Sequence, residues 1–254
     1  MINKKFESGF MIPILPGKTD ETRKFWEELS NARAHEIDEY ARNVGQSRLL
    51  VYLQHLPRGD FLVQYIQSDV DVATSFKRNL EQHSPIAKHI QRAFMDIARY
   101  DFTRPENAPN IEKIYEWSAH EETGLGGQAR KCFIFAFPLL SGKADEFWHQ
   151  FESRQSNQTI VEGKYRDQGI LRLVEFLQDL QHRPGGLYAV SYLESYDDLR
   201  TVFSRAPNDV RQFWLDTSGI DLANPRGLPD LELLFEWNDS SGIRTSEAQK
   251  AYTI

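Results

Sequence analysis

Cysteine is almost absent from this sequence: Cys132 is the single example in 254 residues. One cysteine excludes a disulfide within the chain, and it also excludes a zinc site built from cysteines. A reduced, cytoplasmic setting suits that count, and we expect a cytoplasmic protein. Because Cys132 begins an apolar run, we expect it to be a small, buried hydrophobic side chain.

Long apolar runs are absent as well. The longest, Cys132–Leu140, is much shorter than the roughly 20 residues with which a helix spans a bilayer. The N-terminal apolar stretch is also short and is followed directly by a helical pattern, so we interpret it as a strand and not as a signal peptide. We therefore expect no membrane partner.

Clustered basic residues are the third absence. The formal net charge is −7, whereas a protein that binds nucleic acid meets the phosphates with a concentrated basic face. The lysines and arginines form no such cluster along the chain. We predict no nucleic-acid partner.

An internal repeat is the main feature that the sequence does contain. Residues of the first half recur in the same order in the second half, which is typical of a duplicated domain. The matched residues are Pro13, Gly17 and Lys18 with Pro138, Gly142 and Lys143, Phe25-Trp26 with Phe147-Trp148, Arg48 with Arg172, Leu53-Gln54 with Leu177-Gln178, and Glu116-Trp117 with Glu236-Trp237. We predict a first repeat over 1–119, a linker over 120–131, a second repeat over 132–238 and a tail over 239–254.

Each repeat has the element pattern β-α-β-β-α-β, which is the order of the ferredoxin-like unit. In the first half, two apolar strands flank the turn residues 57–60, which predicts a hairpin, and Ser84-Pro85 predicts the start of a helix. A single helix is predicted from Thr19 to Val44, with Thr19 or Asp20 as its N-cap. The predicted fold class is therefore α+β, with two tandem ferredoxin-like repeats.

The strands of a repeat carry apolar side chains on both faces. Leu49, Val51 and Leu53 alternate with Leu50 and Tyr52 along one strand, and successive side chains of a strand point to opposite faces. The helices of a repeat cover one face, so the other face also needs a cover. We predict that the two sheets face each other in an intramolecular pseudo-dimeric α/β barrel, because burying such a side chain stabilises a fold by about 1.5–3 kcal/mol.

Two linked units of this kind resemble the dimeric α/β-barrel superfamily. The features that carry the resemblance are a strand followed by Gly-Lys and a helix, at Gly17-Lys18 and Gly142-Lys143, and a Leu-Gln strand followed by a glycine turn, at Leu53-Gln54 and Leu177-Gln178. The superfamily includes antibiotic-biosynthesis-type monooxygenases, haem-degrading monooxygenases and stress-responsive barrel proteins. We can place no counterpart of the Asn, Trp and His arrangement of the haem-degrading members, so the resemblance implies no particular cofactor.

Two histidines of the first half are the candidate catalytic residues. His89 lies on the apolar stripe of its predicted helix, and His83 immediately precedes the Ser84 cap. Imidazole titrates near neutral pH, so these side chains suit a general base or a metal or haem ligand. The alternative is that His89 is a hydrogen-bonded core histidine and that His83 is a surface histidine. We predict no metal site.

Arg48, Tyr52 and Tyr65 are the candidate ligand-binding residues. Together with His89 they are predicted to line a cavity associated with the first repeat. A cavity above about 300 Å³ with convergent polar groups favours a ligand, and a solid core excludes one.

The acidic residues of the closing strands have a structural interpretation. Glu112 and Glu116, with their counterparts Glu232 and Glu236, are four residues apart in a strand. That spacing separates the members of each pair by about 13 Å, too far for paired carboxylate chemistry. We expect ion pairs or solvated side chains, and the possible ion-pair partners include Arg48 and Arg172.

The matched lysines and tryptophans are also interpreted structurally. Lys18 and Lys143 each follow a glycine before a helix, but the phosphate-binding loop pattern is missing, so we expect surface lysines at turns. Trp26 and Trp148 are expected to pack in the core between helix and sheet.

Three functional interpretations follow, and the sequence leaves open whether the protein is an enzyme. In the first, the barrel binds a small molecule. The second is a cofactor-independent or haem-linked oxygenase or isomerase that acts on a small, partly aromatic substrate. The third is a structural or oligomerisation module without a ligand. The chain is expected to be a monomeric pseudo-dimer or a homodimer.

Overall fold

The computed structural model describes residues 5–119, 129–180, 186–224 and 228–243. These residues form an α+β fold with two antiparallel sheets and eight α-helices. The elements up to residue 119 are β1 (Phe6–Pro13), α1 (Thr19–Asn31), α2 (Ala34–Asn43), β2 (Gln46–Leu56), β3 (Gly59–Ser68), α3 (Val72–Glu81), α4 (Pro85–Ala98) and β4 (Asn110–Ser118). The later elements are β5 (Lys131–Pro138), α5 (Ala144–Ser156), α6 (Gln158–Gln168), β6 (Ile170–Asp179), β7 (Leu187–Ser195), α7 (Leu199–Ser204), α8 (Asn208–Ser218), β8 (Asp230–Asn238) and β9 (Gly242–Ile243).

Two compact units divide the chain. The described residues of the first unit are 5–109 with 231–243, and those of the second are 110–119, 129–180, 186–224 and 228–230. The sheet of the first unit has the strand order β1-β3-β2-β8-β9, and that of the second has the order β4-β6-β7-β5. Within the part of the chain that the structure describes, no helix has the length and apolar character needed to cross a membrane.

The closing strands are exchanged between the predicted repeats. Strand β8 comes from the second repeat but lies beside β2 in the sheet of the first unit, and β4 lies beside β6 in the sheet of the second. Each compact unit therefore contains one closing strand that the sequence analysis assigned to the other repeat. The edge of a hairpin accepts any strand that supplies backbone partners, and sequence proximity does not decide which one. The barrel of facing sheets stays a prediction, and most of the predicted linker and tail lie outside the described residues.

Local signals in the sequence predicted several boundaries correctly. The hairpin around residues 57–60 is present, with β2 and β3 paired antiparallel up to Leu56 opposite Gly59. Helix α4 begins at Pro85, and the Ser84 side chain accepts a hydrogen bond from the backbone N–H of Ala87. These features depend on neighbouring residues alone, which is why the pattern of the sequence indicated them.

The single helix predicted from Thr19 to Val44 was wrong, because the structure contains two helices, α1 and α2, in that segment. The predicted N-cap was wrong too: α1 is capped at Lys18 without a side-chain hydrogen bond. The Thr19 hydroxyl instead donates to Asp60 at the start of β3, and Asp20 accepts from Arg23. A tertiary contact thus takes the side chain that the sequence pattern assigned to the cap.

Matching glycines in the two units carry matching ion pairs. Gly45 has φ +84° and lies beneath the ion pair of Asp69 with Arg78, whose Oδ1 and Nη1 are 3.3 Å apart. Gly169, with φ +78°, lies next to an ion pair between Asp197 and Arg205, of 2.6 Å. Such matched contacts are what an internal duplication predicts.

Gly45→Ala should lower the free energy of unfolding more than Gly17→Ala. Both positions have positive φ, which costs an alanine about 1–2 kcal/mol. No atom lies within 4 Å of the Cβ that an alanine at Gly17 would add, whereas at Gly45 that Cβ displaces the ion pair of Asp69 with Arg78. We expect an additional loss of about 0.2–1 kcal/mol in urea unfolding. In an Asp69→Ala background the additional loss should vanish, and its persistence there would contradict this assignment.

Both faces of the first unit's sheet are buried, as predicted. Phe10, Leu49 and Gln64 lie on the face toward the helices, since they share a cavity wall with helical residues. Tyr52 and Tyr65 belong to the opposite set of alternating positions and are fully buried. The prediction for Cys132 is also confirmed, because its side chain is buried.

The two matched tryptophans have different environments. Trp26 is buried and packs against Phe235 of β8 at a ring-centroid distance of 5.2 Å, which confirms the prediction for that residue. The prediction for Trp148 was wrong, because this residue is 38% exposed. In α5 the buried aromatic positions are Phe147 and Phe151, one helical turn apart. Trp148 is turned away from that stripe.

Candidate functional site

The two candidate catalytic histidines lie in the helical layer of the first unit. His83 is exposed in the segment before α4. His89, on α4, is partly exposed, with its Nε2 atom 3.4 Å from Glu28 Oε1 and its ring 5.7 Å from that of Phe25. These surroundings agree with the alternative of a packed histidine and a surface histidine. A catalytic role for either one stays a prediction.

The three candidate ligand-binding residues lie on the other side of the sheet. Arg48 Nη2 is 3.6 Å from Glu236 Oε1 of β8. The Tyr65 hydroxyl donates to Glu7 of β1, and Tyr52 is fully buried on β2. The sheet therefore separates this group from His89, so the structure does not bring the predicted residues into one site. Sequence periodicity placed His89 on the buried stripe of its helix. It did not show on which side of the sheet that helix lies.

Three of the four acidic residues of the closing strands, Glu116, Glu232 and Glu236, form ion pairs, as expected. Glu116 Oε1 is 2.6 Å from Arg172 Nη2, Glu236 pairs with Arg48, and Glu232 Oε2 is 2.8 Å from Arg23 Nε. Lys18 and Lys143 likewise pair with Glu21 and Glu146, three residues further along their helices. Among the described residues, no group of three or more His, Cys, Asp or Glu side chains has a metal-binding arrangement.

A partly open cavity of about 80 Å³ lies between the sheet of the first unit and its helices α1 to α4. Most of the wall is apolar or aromatic, with Phe10, Leu29 and Phe94 among its members. None of His89, Arg48, Tyr52 and Tyr65 contributes to it. This cavity therefore lies on the helical side of the first unit's sheet.

Three polar atoms at this cavity are buried without a hydrogen-bond partner among the described residues. They are Nε1 of Trp26, Oε1 of Gln46 and Nε2 of Gln64. The indole and amide nitrogens are donors and the amide oxygen is an acceptor. Each unpartnered buried group destabilises a protein by about 1–3 kcal/mol, so native structures seldom leave it without water or a ligand.

A polar network closes one side of the same cavity. The Tyr40 hydroxyl donates to Asn79 Oδ1, and Asn79 Nδ2 donates to the Ser75 carbonyl oxygen at 3.1 Å. Burial raises the pKa of Tyr40, so this phenol stays protonated and keeps its hydrogen bond. The hydrogen bond between Tyr40 and Asn79 connects α2 to α3 at the wall of this cavity.

Sequence reasoning missed the residues of this cavity. One signal was present: Gln64 is a lone polar side chain in the apolar stretch Phe61–Ile66. An isolated polar residue at a buried strand position needs a partner. The sequence does not indicate that Gln64 Nε2 has no partner among the described residues. The fold determines which side chains surround this atom.

The second unit has an ionisable group, the carboxyl group of Glu175, in the corresponding row of its sheet. Gln64 pairs with Phe10 and Val51 in the first unit, and Ser191 pairs with Phe135 and Glu175 in the second. The Ser191 hydroxyl is 2.7 Å from Glu175 Oε2. Burial raises the pKa of Glu175 to about 8, although the Ser191 hydrogen bond and the Arg154 charge act in the opposite direction. The carboxyl is therefore mostly neutral at pH 7.

The comparisons with known proteins leave the family open. No protein-family model matches the chain, and no curated protein matches it. Similar solved structures include a proposed monooxygenase from Fusobacterium nucleatum subsp. nucleatum ATCC 25586, with 11% identity and a TM-score of 0.45 over 96% of this chain and 98% of that one. An anthrone oxidase-like protein has 12% identity and a TM-score of 0.47 over 94% of each chain.

A third similar structure is a proposed monooxygenase from Lactobacillus acidophilus NCFM, with 8% identity and a TM-score of 0.44 over 95% of this chain and 99% of that one. At such identities and TM-scores these likenesses carry no activity over to the chain. Membership of the dimeric α/β-barrel superfamily stays a prediction.

Proposed function

We propose that this chain binds a compact, mostly apolar small molecule in the cavity of its first unit. The observation that carries the proposal is a set of three polar atoms, on Trp26, Gln46 and Gln64, that have no hydrogen-bond partner among the described residues and belong to a mostly apolar wall. Ligand sites in proteins are typically apolar cavities with a few placed polar groups. A ligand with one hydroxyl group offers both a donor and an acceptor to these atoms.

The size of the cavity limits the ligand. Its volume of about 80 Å³ is well below the roughly 300 Å³ of a pocket for a drug-sized molecule. It is also below the roughly 150 Å³ of an engineered cavity that takes up benzene. Because the cavity is partly open, the ligand is expected to insert its polar end and to leave the rest near the opening.

The wall favours binding over acid–base catalysis. Within the described part of the chain, the residues that line the cavity include no His, Asp, Glu, Lys or Cys. Tyr40 and Tyr100 are its titratable members, and both phenols are engaged, Tyr40 with Asn79 and Tyr100 with the Asn107 carbonyl oxygen at 2.6 Å. No contact favours the oxygenase or isomerase alternative, which stays a prediction.

Phenol and toluene are suitable probes, because they have similar shapes and differ in the hydroxyl group. In a ¹H–¹⁵N spectrum of the full chain, phenol should shift the indole signal of Trp26 and the side-chain amide signal of Gln64. Toluene should shift them much less, since it offers no hydrogen bond. Single variants at these two positions assign the signals.

Gln64→Leu should weaken phenol binding about fivefold or more, because it removes the donor at nearly constant volume. The same change should leave stability unchanged or increase it, since an unpartnered buried amide is removed. His89→Ala is the matched control from the helical layer, and it should bind phenol like the natural chain. Equal phenol affinity of Gln64→Leu and the natural chain, or no shift with phenol, would contradict the proposal and indicate a cavity filled by water.

A further inference from the structure

Arg154, in the last turn of α5, is a buried arginine that has no acidic partner within the described part of the chain. Its side chain is 9% exposed, and its guanidinium carbon lies 4.5 Å from the ring centroid of Phe151 and 5.3 Å from that of Phe213. Nη1 donates to the Tyr165 hydroxyl at 3.1 Å. Among the described residues, no carboxylate is in ion-pair contact with Arg154. A buried charge without a counter-charge is costly, so its persistence requires an explanation.

Glu175, whose carboxyl group the charge of Arg154 influences, does not act as its counter-charge. Glu175 is fully buried on β6, and its Oε2 atom accepts a hydrogen bond from the Ser191 hydroxyl. Burial raises the pKa of this carboxyl to about 8, so it carries little charge at pH 7. The guanidinium keeps a net positive charge inside the second unit.

Arg154 forms part of the wall of a groove of about 240 Å³ between α5, α6 and the start of α8. The groove also has amide and hydroxyl groups, from Gln150, Ser153 and Asn157, and an apolar part formed by Val161 and Val210. Lys164 and Asp209 lie at the same groove and pair with each other. This groove belongs to the second unit alone and is independent of the cavity in the first.

We infer that this groove binds a small organic monocarboxylate, with the guanidinium of Arg154 as the counter-charge and Val161 and Val210 against the apolar part of the ligand. The planar guanidinium fork matches a carboxylate, and such charge-assisted hydrogen bonds are among the strongest in proteins. The carboxylate of Asp209 at the groove disfavours a doubly charged phosphate, and the valines favour an organic group. The ligand class is therefore a monocarboxylate with an aliphatic or aromatic body.

Calorimetric titration of the full chain at pH 7 with benzoate, and with benzamide as its neutral counterpart, tests the inference. The natural chain should bind benzoate and should bind benzamide at least about tenfold more weakly. Arg154→Met keeps the side-chain length over the Phe151 and Phe213 rings but removes the charge. We expect it to reduce benzoate affinity about tenfold or more.

Arg166→Met is the matched control. Arg166 lies on α6 of the same unit, is 55% exposed and pairs with Glu162 at 2.7 Å. Its replacement removes the same charge outside the groove and should leave benzoate affinity unchanged. Equal losses in both variants would assign the effect to net charge and would overturn the inference.

A second variant tests the inference if Arg154→Met does not fold. Val210→Trp fills the groove from α8 without removing the arginine, and it should abolish benzoate binding. Unchanged affinity in Val210→Trp, or no benzoate binding to the natural chain at millimolar concentration, would overturn the inference. Loss in Val210→Trp together with unchanged affinity in Arg166→Met supports it.

Discussion

Phe147→Ala is expected to lower the free energy of unfolding by about 3–5 kcal/mol, the range for removing a buried aromatic side chain. Phe147 is fully buried, with its ring 4.9 Å from Phe151, 5.5 Å from Phe213 and 5.6 Å from Trp214. The change leaves a void that these rigid rings do not fill. Because whole domains are stable by only about 5–15 kcal/mol, the loss is large enough for urea unfolding to detect without ambiguity.

Trp148→Ala is the control, because it removes a larger aromatic side chain from the next position of the same helix. Trp148 is 38% exposed, so the loss should stay below about 1 kcal/mol. Both changes introduce alanine into α5, and the difference in helix propensity between them is small. Similar losses in the two variants would mean that α5 is rotated relative to its described position.

Glu175→Gln is expected to change the pH dependence of stability more than any other single change in the second unit. The pKa of Glu175 is raised by burial from the usual 4.5 to about 8. Between these values the folded chain holds a proton that the unfolded chain has released. The free energy of unfolding therefore falls as the pH rises through this window, by at most about 1.4 kcal/mol per pH unit from this group.

The variant has a neutral amide in place of the carboxyl group, so it should lack this contribution to the slope. Near pH 4.5 the two proteins should be of similar stability, and above pH 8 Glu175→Gln should be more stable by a few kcal/mol. Urea unfolding of both proteins at pH 5, 6, 7 and 8 measures the difference. A stability difference that does not grow with pH would show that Glu175 is ionised in the folded protein.

Glu116→Gln provides a control of opposite sign. Burial acts to raise the pKa of this carboxyl, but hydrogen bonds from Lys113 and Arg172 outweigh that effect and lower the pKa below its usual value. Glu116 therefore contributes stability at neutral pH that is lost as the pH falls through its lowered pKa. Its replacement should destabilise the chain at pH 7 and matter less in acid, which is the reverse of the behaviour expected for Glu175→Gln.

The two proposed sites have different physical origins. In the first unit, the row of the sheet that contains Val51 and Gln64 includes a polar atom, Gln64 Nε2, that has no partner among the described residues, and Gln64 lines a small cavity. In the second unit, Glu175 and Ser191 of the corresponding row are hydrogen-bonded to each other, and Arg154 has no ion-pair partner among the described residues. The ligand proposed for the first unit is accordingly neutral, and the ligand proposed for the second is an anion.

The sequence by itself determined the elements that depend on near neighbours. Alternating apolar residues predicted both buried faces of β2, turn residues predicted the hairpin before β3, and Ser84-Pro85 predicted the start of α4. Hydrogen bonds and packing within a few residues select these structures, so the local pattern contains the required information.

Only the tertiary structure decided which distant groups meet. It paired β8 with β2, gave the Thr19 hydroxyl to Asp60 instead of a helix cap, and put His89 and Tyr52 on opposite sides of a sheet. Among the residues that the structure describes, it also left Gln64 Nε2 without a hydrogen-bond partner and Arg154 without an ion-paired carboxylate. Whether a buried polar group is satisfied depends on side chains far away in the chain, and those neighbours exist only once the sheets and helices have packed.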